Sequence, residues 1–305
     1  MAMLLAEPFG GACTKAAMER LSKRVSPLAP DFIVGMGGGK AIDTAKGVAF
    51  KLGLPLVSIP TLVSNCAPIT ALSVVYKNEG PFDCFLFYDA PPALTLIDLT
   101  ICAGAPAKYF RAALGDTVAK YLEAQFSRRN DVLGETMDHM SSIALSLSST
   151  CYDPILQYGR QGLDEAERGE AGKAFELCAR SAILSTGLVS LMADDCFNGA
   201  LAHSVCYGLQ IFEDIEVSRL HGDLVAYGCL VQLMLDHQET EAKRLHAFLQ
   251  SIGTETTLAE IGLPLDRAYL DAMLAETVSG PDMRHIPYPI TPDMVFDAMV
   301  QVEAL

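Results

Sequence analysis

Two sets of residues in this chain have types and spacings that could do chemistry. Asp31 to Lys46 reads DFIVGMGGGKAIDTAK: Phe32, Ile33 and Val34 form a short apolar run, Gly35, Gly37, Gly38 and Gly39 follow, and Ala41 to Ala45 opens a helical pattern. A strand, a glycine turn and a helix start make an anion cradle. Glycines permit close backbone approach, and the helix N-terminus offers unpaired N–H groups and positive partial charge. A pyrophosphate is the expected guest. Two familiar motifs fail here, because Lys40 stands where a dinucleotide fingerprint needs its third glycine, and Ala41 where a P-loop needs Ser or Thr. The alternative is a tight strand-to-helix turn that binds nothing.

The second set lies further on. Asp116 in LGDTVAKYLEA, His203 in GALAHSVCYGL and His221 in RLHGDLVAYG each sit in or beside an apolar helical pattern. One carboxylate with two imidazoles matches a catalytic zinc site with three protein ligands and an open position. The same set suits iron(II), so donor type does not choose the metal. Against this, a single histidine on an apolar helix is commonly a core residue, an aspartate before a helix turn is commonly a cap, and ligands on separate helices have no local signature. His139, His237, His246 and His285 lie in polar surroundings and read as surface.

The elements that must position these residues fall into two textures. Leu4–Ala6 reads as a short strand, Thr14–Val25 as an amphipathic helix, and the helix after the glycines as running to about Leu52. Leu54–Ile59 reads as a buried strand ended by Pro60, and 61–68 as a polar turn. Ala71–Tyr76 and Cys84–Tyr88, joined by KNEGPFD, read as a hairpin, with Leu94–Ile97 as a last strand. After about Ala105, segments near 107–126, 133–157, 169–190, 193–210, 221–236 and 239–250 carry helical periodicity and strand patterns vanish. An α/β domain over 1–105 and an all-helical domain over 106–305 are expected, meeting near Gly104-Ala105-Pro106, with a ligand in the crevice between them.

Bulk composition narrows the function classes. Half of the 305 residues are apolar and 19% are charged, enough for a sizeable core. A formal charge of −15 argues against a nucleic-acid partner. Nine cysteines with no C-x-x-C pair do not form a disulfide framework and suit a reducing compartment. The start MAMLLAEPFGG lacks the features of a signal peptide, and no apolar run is long enough to span a bilayer. A cytoplasmic protein with no membrane partner is expected.

Taken together, these stretches resemble the glycerol dehydrogenase branch of the iron-type, metal-dependent alcohol dehydrogenase family. The resemblance rests on PFGG at 8–11, GMGGGKAIDTAK at 35–46, IPTLVSNCAP at 59–68, TALSVVY at 70–76, GAPAKYFRAALGDTVAKYLEA at 104–124, LAHSVCYGL at 201–209 and LHGDLVAYG at 220–228. It implies a dehydroquinate synthase-like fold: an incomplete Rossmann-like parallel sheet that binds NAD or NADP, followed by an all-helical domain for metal and substrate. Gly38, Gly39 and Lys40 would hold the cofactor pyrophosphate, Thr61 and Ser64 would contact the cofactor from the other side, and Thr70, Leu72 and Tyr76 would line its nicotinamide end. Asp116, His203 and His221 fall on the metal-ligand positions, with zinc the usual metal of that branch. The activity implied is hydride transfer between the nicotinamide and a small polyol, in a homo-oligomer.

Two departures bear on that expectation. Cys66, in SNCAP, stands where glycerol dehydrogenases carry an aspartate that contacts the polyol. A thiol is a poor acceptor, and losing a carboxylate removes repulsion toward an anionic substrate. Together with LHGDLVAYGCLVQ and HIPYPITPD, this resembles the hydroxycarboxylate dehydrogenase relatives, which act on small 2-hydroxy/2-oxo acids; Cys66 as a neutral packing residue is the competing reading. Members of the family also carry a strand–helix–strand unit before PFGG. A shortened chain with an exposed sheet edge and weakened cofactor binding is therefore expected. The rival functions are a same-fold lyase resembling dehydroquinate synthase and a non-catalytic remnant that keeps its metal site.

Overall fold

The computed structural model describes residues 4–78, 82–130 and 137–305. Helix α1 (Lys15–Val25) begins where the Thr14 hydroxyl accepts the Ala17 N–H, the usual cap for an exposed helix start. Strand β1 (Ile33–Gly37) leads into α2 (Gly39–Leu52), and β2 (Leu56–Pro60) pairs with it in parallel, Ile33 opposite Leu56 and Gly37 opposite Pro60. Strands β3 (Leu72–Tyr76) and β4 (Phe82–Phe87) form an antiparallel hairpin, and β5 (Leu94–Thr95) adds to β2. The result is a three-stranded parallel sheet in the order β1-β2-β5 beside a two-stranded hairpin.

The helical half opens with α3 (Leu99–Ala103), capped by Asp98, and the long α4 (Ala107–Ser127). It continues through α5 (His139–Leu147), α6 (Asp153–Glu167), α7 (Lys173–Arg180), α8 (Thr186–Met192), α9 (Leu201–Leu209), α10 (Glu213–Ser218) and α11 (His221–Leu235). Helices α12 (Glu239–Ser251), α13 (Leu258–Ile261), α14 (Asp271–Ser279) and α15 (Pro292–Val302) close it. Every residue of α11 after His221 is buried, which is why its sequence shows no polar face. It packs against α4, α9, α12 and α15 and forms the centre of the largest apolar core.

Several expected elements shift. Leu4–Ala6 forms no strand; Leu4 and Leu5 are exposed and find no ladder partner among the described residues. Strand β1 starts after Phe32 and runs on through Gly35 to Gly37, so the turn shrinks to Gly38. Gly35 permits this, since a Cβ there would come within 2.7 Å of Ala45 Cβ on α2. The segment near 133–157 breaks into α5 and the start of α6, its residues 133–136 lying outside the described ones, as do 79–81 of the hairpin loop. Within 193–210 only Leu201–Leu209 is α-helical.

Helices α7 and α8 are joined by a π-helical turn, Ser181–Ser185, into one run, Lys173–Met192. That run is long and apolar enough by composition to cross a bilayer, against the expectation that none would be; half of its apolar window is buried inside the protein. His285 also departs from its surface reading. It is half-buried edge-on against Phe197, with Nδ1 3.3 Å from the Asn130 side-chain nitrogen.

Candidate metal centre and cofactor cradle

Asp116 lies midway along α4, His203 in the first turn of α9, and His221 at the first position of α11. These helices cross at small residues beside the three polar ones. A Cβ on Gly222 would stand 1.9 Å from the Ala112 carbonyl oxygen, and one on Gly115 would stand 2.5 Å from the Gly222 oxygen. Only glycine allows α4 and α11 so close. Arg111 reinforces the crossing by donating to both carboxylate oxygens of Asp223, at 3.3 and 2.8 Å.

The three side chains meet in consequence. His203 Nε2 is 3.5 Å and His221 Nε2 3.9 Å from Asp116 Oδ1, and one donor atom from each residue lies within 4.8 Å of the others. Donors about 2.0–2.2 Å from a tetrahedral ion stand roughly 3.3–3.6 Å apart. The Asp116–His203 pair already has that separation, and His221 needs a small closure. The donor set and its spacing fit a divalent cation.

Each imidazole turns its Nε2 inward and meets an outer partner through Nδ1. His203 Nδ1 is 2.5 Å from Glu123 Oε2, whereas His221 Nδ1 is 3.4 Å from the Cys206 sulfur. Glu123 is fully buried on α4, and its Oε1 also accepts the backbone N–H groups of Ala200 and His203, each at 2.8 Å. The titrations follow this asymmetry. Burial works against a charged His203, but Glu123 and Asp116 outweigh it and raise its pKa well above the ordinary value. His221, packed by protein on its inner side yet 45% exposed at the mouth of the site, is lowered, because burial and His203 outweigh Asp116. Burial opposes ionisation of Asp116 and Glu123 too, yet the facing histidines, Lys120 for Asp116 and the backbone donors for Glu123, hold both carboxyls below their ordinary values.

The glycine stretch lies in the N-terminal half, at the start of α2. Gly38 caps α2 in an extended conformation, and Gly37 has φ +149, with Ala41 Cβ only 2.7 Å from where its own Cβ would be. The turn after β2 closes over this helix start. Thr61 N donates to the Gly37 oxygen at 3.1 Å, Leu62 lies against Gly38, and the Asn65 amide lies against Gly39. Lys40 and Tyr76 meet, while Thr61 and Ser64 are half-buried in the turn. Thr70 is buried and its hydroxyl accepts from Lys46 Nζ at 3.2 Å; Leu72 opens β3 and offers its carbonyl to the same ammonium at 2.6 Å. Cys66, in the same turn, has its thiol pKa pushed up by burial, with Lys120 opposing and Asp116 adding to the rise.

Sequence reasoning passed over Glu123, Cys206, Asn65 and the pair Asp43–Lys46. Glu123 follows Asp116 by two helical turns, so both carboxylates lie on one stripe of α4, a signal that was available. Asp43 and Lys46, an i,i+3 pair with the ammonium 2.9 Å from the carboxylate, are buried together, and nothing in GGGKAIDTAK distinguishes a buried pair from a surface one.

The model of iron-containing alcohol dehydrogenases matches residues 3–98. The chain is 35% identical over 294 residues to a glycerol dehydrogenase of Thermotoga maritima, covering 95% of this chain and 79% of that one. It is 31% identical to hydroxycarboxylate dehydrogenase A of Escherichia coli, covering 97% and 81%. Among solved structures, a probable glycerol dehydrogenase from Sinorhizobium meliloti superposes with a TM-score of 0.86 at 28% identity, over 98% of this chain and 83% of that one.

Proposed function

The chain belongs to the iron-containing alcohol dehydrogenase family, with its dehydroquinate synthase-like fold, and from that premise we propose that it is a metal-dependent NAD(P) oxidoreductase moving a hydride between the nicotinamide and a small polyol or 2-hydroxy/2-oxo acid. The observation that carries this reading is the convergence of Asp116 Oδ1 with the Nε2 atoms of His203 and His221. A divalent cation held there supplies Lewis acidity, which polarises a carbonyl or lowers the pKa of a hydroxyl. We assign zinc ahead of iron, on the usual metal of the branch.

The chain's own residues do the rest. The backbone N–H groups at Gly38 and Gly39, with Lys40, bind a pyrophosphate at the start of α2. Thr61 and Ser64 close over it from the turn after β2, while Thr70, just before β3, and Leu72 and Tyr76 on it line the nicotinamide end. Cys66 faces the substrate without charge, and the family's spread from glycerol dehydrogenases to hydroxycarboxylate dehydrogenase A makes both substrate classes natural candidates.

The test is to strip the protein with a chelator, restore zinc or iron(II), and follow nicotinamide absorbance with glycerol, propanediol and 2-oxobutanoate, each with both cofactors. Activity lost on stripping and regained on restoration supports the assignment. An undiminished rate in the stripped protein overturns it, as does the absence of any net change in the nicotinamide with every substrate. Preference for glycerol would remove Cys66 from the case for an acid substrate.

A further inference from the structure

We propose that Glu123 is a positioning residue for the metal centre, fixing His203 as the tautomer that presents a bare Nε2 lone pair to the cation. The inference rests on the metal reading above and adds to it a group that touches neither substrate nor metal. Three observations carry it. Glu123 is fully buried, a costly place for a carboxylate unless several donors converge on it. Its Oε2 lies 2.5 Å from His203 Nδ1, and the same ring turns Nε2 toward Asp116 at 3.5 Å. Its Oε1 accepts from His203 N and Ala200 N, so one carboxylate grips both the ring and the backbone of the same residue.

The consequence for the ring follows from donor counting. An ionised carboxylate only accepts, so the ring nitrogen facing it must carry the proton. In a neutral imidazole the other nitrogen then has a free lone pair, the form a metal requires. Oε1, occupied by two backbone donors, prevents the carboxylate from turning away. His221 has no such constraint, since the thiol beside its Nδ1 both donates and accepts weakly. The two imidazoles are therefore unequal ligands: the carboxylate holds the proton on His203 Nδ1, so that Nε2 is the atom that gives up its proton to the cation, whereas His221 is adjustable.

Glu123→Gln separates positioning from packing. The amide keeps the shape, and its oxygen can still accept from the two backbone N–H groups. Its NH2 then faces His203 Nδ1 and donates to it, driving the ring proton onto Nε2, where it blocks coordination. Zinc affinity, measured by competition with a chromophoric chelator, should fall about 10- to 100-fold. The visible spectrum of the cobalt(II)-loaded protein should change in a variant that circular dichroism shows to be folded, even though losing the buried partner of His203 lowers the urea midpoint of the metal-free form. A folded Gln variant with wild-type zinc affinity and an unchanged cobalt spectrum would overturn the inference. If the variant does not fold, nitrogen-15 spectra of the zinc-loaded wild type decide: a proton on His203 Nδ1 with Nε2 coordinated supports it, and coordination through Nδ1 refutes it. A wild type that binds no zinc would instead sink the metal reading itself, an outcome visible before any variant is made.

Discussion

The Lys40 ammonium stands over the ring of Tyr76, 4.4 Å from its centroid. The start of α2 and the end of β3 thus meet through a cation and an aromatic face, which links the glycine turn to the hairpin. Such a contact contributes about 0.5–1 kcal/mol at an exposed position. It also holds the flexible lysine stem at the helix start.

Lys40→Ala is expected to weaken cofactor binding more than it slows turnover. Losing one charge-assisted hydrogen bond to a phosphate costs about 1.5–3 kcal/mol, or roughly a 10- to 100-fold rise in the cofactor KM. The defect should narrow as salt is added, because screening weakens the wild-type interaction first. Initial rates at several ionic strengths check this. A cofactor KM equal to wild type would exclude Lys40 from the cradle.

Gly222→Ala tests the crossing that brings His221 to Asp116. The added methyl would meet a backbone oxygen 1.9 Å away, so α11 must move as a body. A loss of about 3 kcal/mol in urea unfolding is expected, together with weaker zinc binding. Gly104→Ala is the control: its Cβ would meet only ordinary contacts at 3.5 Å, and a change within about 0.5 kcal/mol is expected.

Lys46→Met should be among the most damaging single changes in the N-terminal half. It removes the buried ammonium that bridges Asp43, Thr70 and the Leu72 carbonyl, and burial already pushes the Asp43 carboxyl upward. Breaking one side of a buried pair costs about 3–5 kcal/mol. Replacing both sides, with Asp43→Asn added, should cost less than Lys46→Met alone. Urea titrations of the single and double variants measure the difference.

Glu260 closes a capping box at α13, where its carboxylate accepts from Thr256 N and Thr257 N and the Thr257 hydroxyl accepts from Glu260 N. The Thr256 N–H, followed by the Thr257 donors, lowers the pKa of this exposed carboxyl against a small desolvation cost. A carboxyl lowered on folding stabilises above its unfolded pKa of about 4.3, and that contribution fades as pH falls through the folded value. Glu260→Gln should therefore lose stability at pH 7, held to about 0.5 kcal/mol or less because solvent screens this exposed carboxylate, and the gap to wild type should close in acid. An unfolding series from pH 7 to pH 3 reads this directly.

The backbone plan was legible because its signals are local. The glycine run between an apolar triplet and a helical pattern locates β1 and α2, and the loss of alternation after Ala105 marks the helical half. Asp116, His203 and His221 were legible in another way, through matching motifs, since their separation along the chain carries no periodicity. Three features were hidden for identifiable reasons. The π-helical turn at Ser181–Ser185 lets α7 and α8 continue as one helix, and a single inserted residue leaves little mark on an apolar pattern. Leu4–Ala6 has strand-like residues, but a ladder needs a neighbour, which no short segment reveals. His285 looks polar in HIPYPITPD yet is covered by Phe197, a contact made between residues far apart in the helical half.

The burial of α11 on every side after His221 has a bearing on how this scaffold could change its preferences. A helix locked into the core cannot lean to admit a bulkier molecule without unpacking its neighbours, so the side of the candidate metal centre that His221 supplies is an anvil. Adaptation must come from a less buried neighbour of the centre, such as 61–68, a short, half-exposed turn carrying Cys66, whose thiol feels the Asp116 charge. Diversifying that turn should yield altered selectivity in folded proteins, whereas equal diversification of α11 should yield mainly aggregates.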